Sequence, residues 1–170
     1  MIKLNIVPEC YVDTKVAEIA GRHEYNHQHG RGNVANLLKN KLKDKPALGI
    51  IDEDKNKGPL PKYFSEFKVI KEENGLLLKY NERNHYLIIF CPEIEKWLLD
   101  NANVVTVNPA NFNLPTDLTE FKRITKAPNI DTNLHFYRFI KALLKNKAPG
   151  LITFQKWIDA FTKNEMPKPS

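Results

Sequence analysis

The chain is short of cysteine, of long apolar runs and of repeats, and each shortage removes a class of protein. Only two cysteines occur in 170 residues, Cys10 and Cys91. They form no C-x-x-C pair, which excludes a disulfide framework and leaves two small thiols beside strand ends. No apolar stretch approaches the ~20 residues that a membrane-spanning helix needs. The opening MIKLNIVPEC lacks the long apolar segment of a signal peptide, so a soluble, cytoplasmic protein with no membrane attachment is expected. No internal repeat or low-complexity tract is present. Nor is there a G-x-x-x-x-G-K-[ST] loop, so the chain does not carry its own P-loop ATPase.

What is present is one domain's worth of sequence with an uneven charge. A chain of this length buries roughly two thirds of its unfolded surface, enough for an independent core. The formal net charge is +6. Residues 1–107 are nearly neutral, with 16 basic and 15 acidic side chains, whereas residues 108–170 carry 10 against 5. The pattern reads as an α/β core over 1–107 followed by a basic helical extension over 108–170 that packs on it. Such a basic segment suits a polyanionic partner, nucleic acid above all, and equally suits an ordinary solvated helical surface.

In chain order, Ile2–Val7 reads as a strand ending at Pro8-Glu9, and Asp13 or Thr14 as the cap of a helix running to Gly21. A polar loop follows over residues 22–32, then a helix from Asn33 with Val34, Leu37, Leu38 and Leu42 on one face. Ala47–Ile51 is a short apolar strand that runs abruptly into Asp52-Glu53-Asp54. Strand, helix, helix, strand predicts a parallel pair joined by a right-handed crossover. Phe64–Ile70 and Leu76–Tyr80 read as strands about the turn at Asn74-Gly75. The apolar run His85–Cys91 reads as a central strand, Glu93–Asn101 as a helix, and Val104–Val107 as an edge strand or extended exit. Residues 108–115 form a proline-bounded linker. Helices are expected over 117–126, 132–145 and 153–163, with Pro149-Gly150 as a break. Trp97 and Trp157 have aliphatic neighbours at helical spacing, which indicates core packing.

The chemistry concentrates after Ile51. Asp52 and Asp54 are two residues apart, so in extended chain they leave the same side and suit one hard cation. If the first strand lies beside this one, Glu9 joins them at the carboxyl edge of the sheet, where α/β proteins bind ligands. Three carboxylates there repel one another unless a cation is bound. The plainer alternative is that acids after a strand form turns and caps.

The order of these residues, a strand with Glu9 and Asp13 after it, then helices, then Ile50-Ile51-Asp52-Glu53-Asp54, resembles the Toprim fold. Among its branches it looks most like the small stand-alone, overcoming-lysogenization-defect-like and RloB-like proteins. The later Cys91-Pro92-Glu93-Ile94-Glu95-Lys96-Trp97-Leu98-Leu99 is similar to a segment of some of them. Two positions depart from the family pattern: Cys10 stands where a glycine usually follows the Glu, and Gly58 comes one residue late after Asp52-x-Asp54. The resemblance covers residues 1–107. It implies a mostly parallel central sheet flanked by helices, with Glu9 as the acid/base carboxylate, Asp52 and Asp54 as ligands of Mg2+ or Mn2+, and Glu95 as a further metal carboxylate. It also implies a metal-dependent nuclease, phage-defence enzymes among its relatives, that works beside an ATPase partner. The competing expectation is a non-catalytic module of the same fold that acts through a protein or nucleotide partner.

Around this centre stand candidate phosphate contacts. Lys55 and Lys57 directly follow the acids, and Arg138, Lys141 and Lys145 share a helix face. His23-Glu24-Tyr25-Asn26-His27 matches H-E-x-x-H, but only 22 residues precede it and Gly30-Arg31-Gly32 follows at once. The zinc-protease reading therefore yields to a loop in which His23, His27, His29 and Arg31 meet phosphate, or are simply solvated.

Overall fold

The computed structural model describes residues 5–22, 25 and 27–169, with Lys55 described in its backbone alone. Five strands form one open sheet in the order β1-β2-β5-β4-β3. They are β1 (Ile6–Pro8), β2 (Ala47–Asp52), β3 (Lys68–Glu73), β4 (Leu76–Asn81) and β5 (His85–Phe90). Six α-helices accompany them: α1 (Tyr11–Gly21), α2 (Arg31–Asn36), α3 (Ile94–Val104), α4 (Leu118–Thr125), α5 (Leu134–Lys145) and α6 (Pro149–Thr162). The protein is thus α/β, and no helix among the described residues is long and apolar enough to cross a membrane.

The expectation of a mostly parallel sheet needs correction. β1 pairs with β2 and β2 with β5 in parallel, but β4 pairs antiparallel with both β5 and β3. The cause is local. Asn74 (φ 51°) and Gly75 (φ 77°) make the β3–β4 turn, and Asn84 (φ 62°) sits in the β4–β5 turn. Residues at positive φ close tight hairpins, and a tight hairpin leaves its strands antiparallel.

The strands alternate their side chains between two cores. Ile6, Leu48, Ile50, Leu76, Leu78, Ile88 and Phe90 face a large cluster completed by α1, α3, α4, α5 and α6. Val7, Ala47, Ile51, Leu87 and Ile89 face a smaller one with Val34 and Leu38. Strands buried on both faces need apolar residues at every position, which is why β2 and β5 read as continuous runs. Gly49 makes room beneath α2 and beside β5, since a Cβ there would lie 3.1 Å from Val34 and 2.8 Å from Leu87. Because α1 and α2 lie on opposite faces, the chain between them rounds the β1 edge. Gln28 N donates to Pro8 O (3.0 Å) and Gly30 N to Glu9 O (3.1 Å), so this loop covers backbone that an edge strand leaves bare.

Three further expectations change. Phe64–Glu66 belongs to a 3₁₀ turn (Lys62–Glu66) and not to a strand. Tyr63, Phe64 and Phe67 anchor it in the smaller core, at helical and not alternate spacing. Val104 ends α3, and Thr106 turns back at φ 56°, so no edge strand forms over 104–107. Pro149 stands in the first turn of α6, where its missing N–H costs nothing, so this helix begins at the expected break and not after it. The segment beyond 108 shares the large core with the sheet: Gln155 donates to Ala20 O, and Asn74 to Thr153. Both tryptophans are buried, as their spacing indicates.

Candidate active site at the carboxyl edge

β1, β2 and β5 run parallel, so their carboxyl ends open on one side, and four buried acids gather there. Glu9 follows β1 and Asp52 closes β2, while Asp13 and Glu95 stand in the first turns of α1 and α3. Their residue exposures are 3%, 4%, 0% and 4% respectively. First-turn placement is favourable for an anion, because unpaired N–H groups and the helix dipole point there.

Hydrogen bonds fix three of the four. Asp52 N donates to Glu9 Oε2 (3.0 Å), and Ile94 N donates to Asp52 Oδ1 (3.0 Å), so Asp52 caps α3. Thr125 Oγ1, at the end of α4, donates to Glu95 Oε1 (2.8 Å). Asp13 is the exception: neither carboxyl oxygen has a hydrogen-bond partner, although both are fully shielded from solvent. It does not cap α1 as the sequence suggests. Thr14 sends its hydroxyl to Cys10 O (2.7 Å), and Asp13 is left facing the other acids.

The electrostatics follow from this crowding. Burial, then the charges of Asp52 and Glu9, drive the Asp13 carboxyl well above the usual range. Asp52 is pushed up to about 8 by burial, then by Glu95 and Glu9. Glu9 is raised by burial, against the Asp52 N–H bond and the Lys57 charge. Burial also pushes the Cys10 thiol far up, so it stays protonated beside the acids. Lys57, half exposed, and the buried Arg31 both offset the charge of Glu9. Lys57 Nζ lies 3.8 Å from Glu9 Oε1 and 3.7 Å from Asp54 Oδ2. Burial opposes its charge, but Glu9, Asp52 and Asp54 outweigh that and hold the ammonium above its ordinary value.

Two clefts meet at this edge. One, of about 170 Å³, is lined by Asp52, Asp54, Glu95 and Thr125 among others. The other, of about 560 Å³, is lined by Glu9, His27, His29 and Arg31, and Tyr11, Cys10 and Lys57 belong to both. The loop histidines are therefore beside the acids. Residues 25 and 27–30 are not helical, and His27 Nδ1 is engaged with Thr14 Oγ1 (3.0 Å); His23, Glu24 and Asn26 of the H-E-x-x-H match lie outside the described residues. His23 and the Lys55 side chain lie outside the described atoms. Arg31 is buried and gives its guanidinium to Glu53 O (2.9 Å) and Gly58 O (3.2 Å), which clamps the loop that carries Asp54 and Lys57. Arg138, Lys141 and Lys145 are exposed on α5 and line neither cleft.

Sequence reasoning left Asp13 out of the acid set, although its place four residues after Glu9, one helical turn on, was the available signal. Thr125 and Lys122, whose Nζ pairs with Glu93 Oε1 at 2.6 Å, come from the basic segment and carried no signal. All donors in the cluster are carboxyl oxygens, a set that suits a hard divalent cation. Among the described residues, no group of three or more His, Cys, Asp or Glu side chains is already placed to hold a metal ion. No family model, curated protein or solved structure matches the chain.

Proposed function

We propose that this edge is a Mg2+- or Mn2+-dependent site for processing nucleic-acid phosphodiesters, in a Toprim-like domain. The observation that carries the reading is Asp13, a fully buried carboxyl group whose oxygens meet no N–H or O–H donor, within electrostatic reach of three other buried acids. A buried carboxyl group with no hydrogen-bond partner is costly even when it holds its proton, and a divalent cation that displaces such protons is the counter-charge that four neighbouring carboxyl groups most readily accept. The Toprim-like assignment is supported by neighbouring parallel strands that end in Glu9 and in Asp52-x-Asp54.

Asp52, Asp13 and Glu95 would hold the cation, with Asp54 at its rim. When bound, it supplies charge neutralisation of a phosphate and a more acidic water. Glu9, raised by burial, holds or accepts a proton at Oε1, since Oε2 is occupied by the Asp52 N–H. Lys57, half exposed above Glu9, offers its ammonium to a phosphate oxygen. Arg31 keeps the Asp54–Lys57 loop in place.

A second reading, a non-catalytic binding module, draws on the same Lys57, which already supplies one positive charge to the acids. The two separate on incubation of the protein with Mg2+ or Mn2+ and mixed DNA and RNA, beside Asp52→Ala. Metal-dependent cleavage lost in the variant is expected. A Mg2+-induced rise in melting temperature in the wild type alone is expected too. The absence of both cleavage and stabilisation with either metal would overturn the proposal.

A further inference from the structure

The larger cleft carries a feature that phosphate chemistry does not use. The Tyr11 ring stacks on His27 with centroids 4.2 Å apart and planes 16° from parallel. His29 meets both rings edge-on, 4.6 Å from His27 and 5.9 Å from Tyr11. Tyr11, the first residue of α1, nevertheless keeps 40% exposure. Its neighbours Val12 and Val16 take the core positions of α1, so Tyr11 contributes to the clefts and not to the core.

Thr14 has one hydroxyl proton and directs it to Cys10 O, so it must accept from His27 Nδ1–H. Burial, then the neighbouring His29, lower the affinity of this imidazole for a second proton. A stacked pair whose imidazole resists protonation presents a π surface before it presents an anion site. Lys57 lines the same cleft, with its Nζ 3.8 Å from Glu9 Oε1.

We infer that the Tyr11–His27–His29 cluster is a stacking platform for one unpaired nucleobase, whose own phosphate then lies at Lys57 and the acidic edge. A base inside a duplex has both faces covered, so a ring platform within a cleft accepts only a single-stranded or extruded nucleotide. A cleft of about 560 Å³ has room for a base with its sugar. The substrate class is single-stranded nucleic acid, read by stacking and so tolerant of sequence. This deepens the reading above and rests on it for the phosphate's destination, but binding to the platform needs no catalysis.

The test is therefore equilibrium binding in EDTA, by fluorescence anisotropy, of a short labelled single strand, in DNA and RNA versions, and of its duplex. The single strand should bind more tightly. Tyr11→Ala should weaken it roughly 10-fold, while Tyr11→Trp retains it. Tyr11 is partly exposed, and matched melting temperatures will show that the variants fold. Equal affinity for duplex and single strand, or no loss in Tyr11→Ala, overturns the platform. Displacement by a nucleoside monophosphate at the same concentration as the strand would assign the cleft to free nucleotides and overturn the single-strand assignment. Cleavage with no Tyr11 dependence would sink this inference alone, and Tyr11-dependent binding without cleavage would sink the metal reading alone.

Discussion

The two ends of β5 and its neighbours make opposite use of buried polar groups. At the amino end of β5, His85 is wholly buried, yet both ring nitrogens are engaged: Nε2 with Leu42 O (2.8 Å) and Nδ1 with the Tyr63 hydroxyl (2.6 Å). The carbonyl can only accept, so Nε2 carries the proton and Nδ1 receives one from Tyr63. Burial lowers the affinity of this ring for a second proton, and the neutral form meets every demand of the site. At the carboxyl end, Asp13 is equally buried and neither oxygen is met. A satisfied polar group reports a structural role, whereas an unsatisfied one marks a place where the fold accepts a cost for something the isolated chain lacks.

The sharpest way to break this contrast is to damage the satisfied end. His85→Ala leaves the Tyr63 hydroxyl and the Leu42 carbonyl unpaired and opens a cavity, a loss of about 2–4 kcal/mol. Chemical denaturation should show it, and the stabilisation by Mg2+ should survive in full. If His85→Ala abolishes the Mg2+ response while the protein stays folded, the two ends are not independent and the contrast fails.

pH tests the other end. The Asp52 carboxyl is raised from 3.8 to about 8 in the folded protein, so the folded state holds a proton that the unfolded state releases. Stability from this group is therefore complete below pH 3.8 and lost as pH rises through about 8. In EDTA the melting temperature should carry a downward contribution across that window, one that Asp52→Asn removes. Mg2+ should flatten or reverse the slope, because a cation favours the ionised form. A slope unchanged by both Asp52→Asn and Mg2+ would show that these acids are not in electrostatic contact.

How much of this was legible in the sequence follows the range of the forces involved. β2 and β5 were plain because doubly buried strands need unbroken apolar runs, and Asn74-Gly75 announced its hairpin because the turn demands positive φ. Glu9 and Asp52 were placed together by one topological inference, the parallel pairing of β1 and β2. Asp13 was visible beside Glu9 in the motif but not assigned to the metal set, since an acid in a first turn reads as a cap until Thr14 is seen to turn back to Cys10 O. Tyr11 was hidden, because its ring partner His27 follows only after the chain rounds the sheet edge. The support of Glu95 by Thr125 joins residues 30 apart in sequence across two helices, and no local pattern encodes that.

That support gives a smaller test of the same contrast. Thr125→Val keeps the shape of a fully buried side chain and removes only the hydroxyl that donates to Glu95. If Glu95 belongs to a cation site, its orientation matters more than the stability it brings, and Mg2+ affinity should fall about 10-fold. Isothermal titration with Mg2+ would read it. A variant as tight as the wild type would move Glu95 out of the ligand set and leave Asp13 and Asp52 as its centre.

The weakest expected effect concerns the basic face of α5. Arg138, Lys141 and Lys145 are exposed, and neither cleft includes them. Solvated charges contribute little to folding, so replacing any one by Gln should shift stability by less than about 0.5 kcal/mol. Their part in nucleic-acid binding would be long-range attraction, which salt screens, and not placement of the scissile phosphate. Against a single strand, the triple variant should thus lower the salt dependence of binding by at most about 0.7 per phosphate contact removed. The loss caused by Tyr11→Ala should persist at high salt, because stacking involves no counterion release. Should the triple variant instead abolish binding at every salt concentration, the decisive surface would lie on α5, and the carboxyl edge would no longer be the place where substrate is held.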